Sequence, residues 1–111
     1  AADPKIAAEA YYNLGLIAEH PEKGRRNIPQ AIEYYQKAID LGYPDAAEDL
    51  GTIYYYRKSK IYADQSWDGY NIERAIENLK IYAERSPEFG NQELDKLYSS
   101  GKHKIPKHLL R

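Results

Sequence analysis

The residues best suited to chemistry are three carboxylates, Asp45, Glu48 and Asp49, set within five positions of one another. Two carboxylates, one protonated and one ionised, can hydrolyse a glycosidic bond by general acid and base catalysis. The same residues are also what a helix N-terminus attracts, because its orphan N–H groups and its dipole favour anions. The second reading is the stronger, since acidic residues are placed this way in helices as a matter of routine.

The other polar residues offer less. With no cysteine in the chain, disulfides and thiolate chemistry are excluded. No serine stands in a G-x-S-x-G context. There is no P-loop, dinucleotide glycine fingerprint, HExxH or Ca²⁺-loop pattern. Of the three histidines, His20 falls at the end of a helical stretch, where the dipole favours a cation, and His103 and His108 lie near the C-terminus. Nothing in their spacing converges on a metal. The chain reads as non-catalytic, with no cofactor and no metal.

Composition narrows the alternatives. The 111 residues fit one domain, and 42% hydrophobic with 30% charged side chains is a globular balance. A net charge of −1 argues against nucleic acid as partner, since such domains carry a strong basic excess. No apolar run approaches the roughly 20 residues that span a bilayer. The chain opens Ala1-Ala2-Asp3-Pro4 and contains no methionine. Small residues follow many signal-peptidase sites, so an exported bacterial protein, periplasmic or secreted, is one expectation. A chain cut from a longer one is the other, with a cytoplasmic setting left open. Tyrosine is abundant, 12 against one Phe and one Trp. Its apolar body and polar tip suit partly wet helix interfaces and protein-binding surfaces.

The elements that position these residues are helices in a repeat. Leu14-Gly15 recurs as Leu50-Gly51 and again as Leu94-Asp95, each time within a similar pattern of Ala and Tyr. Periods of this length mean stacked supersecondary units. Ile28, Ala31, Ile32, Tyr35, Ala38 and Ile39 follow the spacing of one helix face, and Ile72, Ala75, Ile76, Leu79 and Ala83 repeat it. Asn27 and Asn71 stand at N-cap positions, Gly42 at a C-cap, and Asp3-Pro4 and Ser86-Pro87 pair an N-cap with Pro at the first helical position. Gly15 and Gly51 lie mid-helix, where Gly costs about 1 kcal/mol against Ala, so a close helix approach is expected there. Five helices are predicted, over 4–20, 28–42, 44–58, 71–86 and 88–99, with a loop at 59–70 and a basic tail at 100–111, partly helical near its end.

Residues 10–45 resemble the Sel1-like repeat, a relative of the tetratricopeptide repeat, in one ungapped register. Its pattern is A-x-x-x-L-G-x-x-Y, a glycine-containing loop, then D-x-x-x-A-x-x-W-Y-x-x-A-A-x-x-G. Asn27 stands at the Asp position, Tyr34 at the Trp position and Ala18 at the Tyr position. Residues 46–89 match with an eight-residue insertion in the loop, and 90–99 begin a third unit. The loop glycines are replaced at Pro21 and Lys23. The resemblance implies an all-α fold, a short right-handed α-solenoid of antiparallel helix pairs, in a single domain.

It also implies a binding surface. Solenoids of this kind bind on a concave face lined by the first helix of each pair. In that register the first helix presents Glu9, Tyr12, Asn13, Leu16, Glu19 and His20. The third presents Asp45, Glu48, Asp49, Thr52, Tyr55 and Tyr56, and the fifth Gln92, Glu93 and Lys96. An acidic groove with tyrosine anchors would suit a basic or mixed protein partner. Tyr12, Tyr55 and Tyr56 could equally pack between helices. In the inserted loop Tyr62, Trp67 and Tyr70 are candidate contacts, or Trp67 folds back as a lid on the small core. The tail carries Lys102, Lys104, Lys107 and Arg111 with no acid. It would reach an acidic partner or headgroups, or end as a solvated cap on the last helix. The expected function is a non-catalytic protein–protein interaction module, an adaptor or an inhibitor of the immunity-protein kind. The alternatives are a structural or self-associating piece of a longer array and, third, a carboxylate-dependent cell-wall hydrolase.

Overall fold

Helix boundaries fall where the sequence supplies the end chemistry. The computed structural model describes residues 3–55, 69–101 and 103–110. It contains α1 (Pro4–Glu19), α2 (Ile28–Asp40), α3 (Ala46–Tyr55), α4 (Ile72–Arg85) and α5 (Pro87–Ser99), and no strand among the described residues. The Asp3 carboxylate accepts from the Lys5 N–H at 2.9 Å. The side chains of Asn27 and Asn71 accept from the N–H groups of Gln30 and Arg74 at 3.1 and 3.0 Å. Each such cap stabilises its helix by about 1 kcal/mol.

Helix α2 ends in a Schellman motif. Gly42, at φ +99°, donates to Ile39 C=O at 3.0 Å, and Tyr43 donates to Ala38 C=O at 2.9 Å. Two expectations shift. Residues 44 and 45 are not helical: Ala46, Ala47 and Glu48 donate back three residues, to Tyr43, Pro44 and Asp45, so a tight turn precedes α3. Tyr43 offers no capping oxygen and Pro44 no N–H, which leaves the turn to start the helix. Ser86 stands at the N-cap of α5 but its hydroxyl makes no capping bond. Its backbone N–H instead closes α4 on Tyr82 C=O at 2.8 Å.

Each helix packs mainly on its neighbours in sequence, within a body of 43 × 33 × 20 Å. This is the nearest-neighbour stacking of helix pairs. Tyr35, Ile28, Leu50, Ile53, Ile76 and Leu79 are the largest fully buried side chains. The mid-helix glycines sit at the closest approaches. A methyl group at Gly15 would lie 2.5 Å from the Tyr35 ring, and one at Gly51 would lie 3.0 Å from Leu79. The two pairs also share a junction: Asn27 N–H donates to Ala18 C=O at 2.9 Å, and Asn71 N–H to Tyr54 C=O at 3.0 Å.

The C-terminal segment folds back on the array. Ile105 and Leu109 pack against the core, Lys107–Leu109 form one 3-10 turn, and the Tyr98 hydroxyl donates to Leu109 C=O. The described part of the segment makes apolar and aromatic contacts, and in it His108 Nε2 lies 3.8 Å from Glu73 Oε1 of the body, both side chains exposed.

Candidate protein-binding face

The first helices of the pairs, with the turn before α3, bring Tyr12, Asp45, Glu48, Asp49 and Glu93 near one another. Tyr12 of α1 is half-buried. Its ring stacks on Tyr43 at 5.0 Å and tilts against Tyr35 at 5.7 Å. Its hydroxyl reaches the Asp49 carboxylate of α3. Glu48, one residue earlier, faces the Tyr82 hydroxyl of α4 and the Glu93 carboxylate of α5. Glu9 and Asn13 are exposed along the rim, and Leu16 is half-buried against the core. Gln92 and Lys96 are exposed on α5, with Lys96 Nζ 3.8 Å from Glu93 Oε1.

Electrostatically this face is one-sided. Burial first, and then repulsion from Glu19 and Glu48, push the Asp49 carboxyl up to about 6, against a lowering hydrogen bond from Tyr12. Glu48 is raised by burial and by Glu93. The phenols of Tyr43 and Tyr82 are raised by burial and then by surrounding carboxylates, Asp45, Glu9 and Asp49 for the first and Glu48, Asp45 and Glu93 for the second. The charges acting on these four groups are carboxylates throughout. Helices α1, α3 and α5 thus hold negative charge and tyrosine in one network.

Four expected residues make contacts within the chain. Glu19 is 3% exposed, so it lies beneath the face rather than on it. It accepts from the Tyr35 hydroxyl at 2.6 Å and lies 3.6 Å from His20 Nε2. The Thr52 hydroxyl is spent on its own helix, donating to Glu48 C=O at 2.9 Å. Tyr55 meets the C-terminal segment, edge-on to His103 at 5.9 Å. Tyr70 joins it there, stacked on the same imidazole at 5.7 Å with its hydroxyl 2.6 Å from Nδ1. Tyr56, Tyr62 and Trp67 lie outside the described residues.

Helix-face reasoning misses Tyr43 and Tyr82 because neither is on a first helix. Tyr43 carried a usable signal: it follows the C-cap glycine, where a side chain commonly folds back on the helix it leaves. A second concavity, about 380 Å³, is lined by Gln36 of α2, Tyr54 of α3 and Arg74, Glu77, Asn78 and Ile81 of α4. The Arg74 guanidinium lies 5.8 Å from the centre of the Tyr54 ring there. Among the described residues, none of the expected ones lines it.

Among the described residues no cluster of His, Asp and Glu gathers as a metal site, and no helix is long and apolar enough to cross a membrane. Searches of curated proteins and of solved structures returned no match. The family model of the Sel1 repeat matches residues 8–43 and 44–85. Each match spans one helix pair, α1 with α2 and α3 with α4. Sel1 repeats are generally non-catalytic modules of protein–protein interaction. With two helix pairs in register and both matched by the family model, the chain belongs to the Sel1 repeat family.

Proposed function

We infer that the chain is a non-catalytic adaptor or inhibitor that holds a basic segment of another protein against the acidic tyrosine face of α1, α3 and α5. One observation carries this reading: Glu48 and Asp49 are partly withdrawn from water among other carboxylates and phenols. A lysine or arginine entering from a partner would relieve that repulsion and meet charge-assisted hydrogen bonds. The tyrosine rings beside it add cation–π attraction. Long-range steering of a basic partner by the face would raise its association rate and make it salt-dependent.

The test uses the full chain on a peptide array graded in net charge, with wild type compared against Glu48→Lys and Asp49→Asn. Retention of Lys- and Arg-rich peptides, weakened by salt and by both variants, supports the assignment. Retention indifferent to peptide charge, or unchanged in both variants, removes it.

A further inference from the structure

The concavity between the second helices holds a polar group that the packing leaves unused. In the repeat register Asn78 of α4 stands where α2 has Tyr34, and Tyr54 of α3 stands where α1 has Ala18. Bulk is thus exchanged across the helix pair. The first unit sets a small residue on its first helix and a ring on its second; the second unit carries the ring on its first helix. An alanine at position 78 would complete that exchange, so volume alone gives no reason for an amide there.

Asn78 and Tyr54 are at most 8% exposed and form the floor, with Gln36, Arg74 and Glu77 exposed around them. Asn78 Nδ2 donates to Arg74 C=O at 2.8 Å. A carbonyl only accepts, so this bond fixes which end of the amide is the oxygen. Among the described residues nothing donates to that oxygen. A buried acceptor left without a donor is costly, and it calls for an explanation.

Beside it stands a cation with donors to spare. The Arg74 guanidinium gives one N–H to the Tyr54 hydroxyl at 3.3 Å, next to the ring of that residue. Glu77, one turn along α4, acts on Arg74 through its charge. Among the described residues no carboxylate closes an ion pair with that guanidinium. Gln36, across the gap, spends its amide N–H on Asp40 at 3.0 Å. Tyr54 therefore steadies a planar donor at the wall of a site whose floor is an unmet acceptor.

We propose that this concavity binds an acidic residue within an extended segment of a partner protein, its carboxylate on the Arg74 guanidinium and its main-chain N–H on Asn78 Oδ1. A guanidinium meets a carboxylate through two parallel bonds. The amide oxygen takes the peptide N–H, and half-buried Ile81, also of α4, meets the methylene groups between them. A basic segment would be repelled by Arg74, and a bare phosphate has no N–H for Asn78. The site belongs to α2, α3 and α4 and does not rest on the reading of the acidic tyrosine face.

The test titrates capped peptides into the isotopically labelled full chain and follows its amide shifts by NMR. The probe is a heptapeptide with one central glutamate among glycines and serines. It is compared with the same peptide carrying glutamine there and with one N-methylated at that glutamate. The expected result is saturable shifts at Gln36, Arg74, Asn78 and Ile81. Affinity should fall about tenfold or more with the glutamine peptide and in Arg74→Gln. N-methylation should weaken binding to wild type and make no further difference in Asn78→Ala, a coupling that a merely structural role would not produce. Asn78→Ala breaks no bond between helices and should melt at or above wild type. Glu48→Lys, on the acidic face, should leave binding unchanged. Shifts that do not saturate, equal affinity for the glutamine peptide, or full affinity in Arg74→Gln and Asn78→Ala overturns the proposal. So does equal affinity for N-acetylglutamate alone, since a small carboxylate would then be the occupant.

Discussion

The Tyr35 hydroxyl donates to the Glu19 carboxylate at 2.6 Å in the interior of the first helix pair. Gly15 makes this possible by leaving room for the Tyr35 ring against α1. Removing the hydroxyl in Tyr35→Phe takes a charge-assisted bond from a carboxylate that is almost wholly out of water. The expected loss is about 1–3 kcal/mol, read from the midpoint of urea denaturation. A midpoint equal to wild type would show that Glu19 is held as well by other groups.

Gly90 touches the backbone of Ala83, and backbone cannot step aside as a side chain can. At an exposed helical site Gly→Ala would add about 1 kcal/mol of stability. Here the added methyl has to separate α4 from α5, so Gly90→Ala should destabilise by about 1–3 kcal/mol. Thermal melts followed by circular dichroism would show the sign, and a raised Tm would mean that the two helices are not in contact at this point.

Asp49 makes stability depend on pH in a direction opposite to that of a salt-bridged carboxylate. Its carboxyl is raised from 3.8 to about 6, so between those values the folded chain binds more protons than the unfolded one. Stability from this group is greatest near pH 4, falls as pH rises to about 6, and is level above that. Allowing for solvent screening of a partly exposed group, the fall is about 1–2 kcal/mol. Asp49→Asn should remove it and be more stable than wild type at pH 7. Urea titrations at pH 4 and pH 7 on both proteins would test the difference, and parallel pH profiles would contradict it.

The C-terminal segment is held by the imidazole of His103 against Tyr70 and Tyr55 and by Leu109 under Tyr98. Leu109→Ala removes apolar area that packs on the core and should lower stability by about 1–2 kcal/mol. Lys107→Ala, at an exposed position of the same turn, should change little. Limited proteolysis should cut the first variant faster near the C-terminus; equal rates in both would mean the segment contributes no protection.

The helices are legible in the sequence because each signal is local. Asn27, Asn71 and Gly42 mark ends through bonds within a few residues of themselves, and the apolar spacing from Ile28 to Ile39 needs only one helix. The binding face is less legible because it depends on which neighbour a side chain meets. Glu19 has the spacing of a groove residue, yet Tyr35, sixteen residues on, draws it inside. Tyr55 and Tyr70 share a partner, His103, that no repeat pattern places. The turn at 44–45 shows the same limit on a small scale: proline suits a first helical turn, but the residue before it has nothing with which to cap.

The matching bonds from Asn27 to Ala18 and from Asn71 to Tyr54 have a consequence for how such a chain can vary. Both join the end of a first helix to the start of its second, and they are alike although the second connection is eight residues longer. Closure entropy grows only with the logarithm of loop length, about 0.6 kcal/mol for each doubling. Once the two ends are tied, added residues between them scarcely alter the free energy of the stack. Diversity can therefore accumulate in that connection, under selection for what it touches, while the helices on either side keep their register.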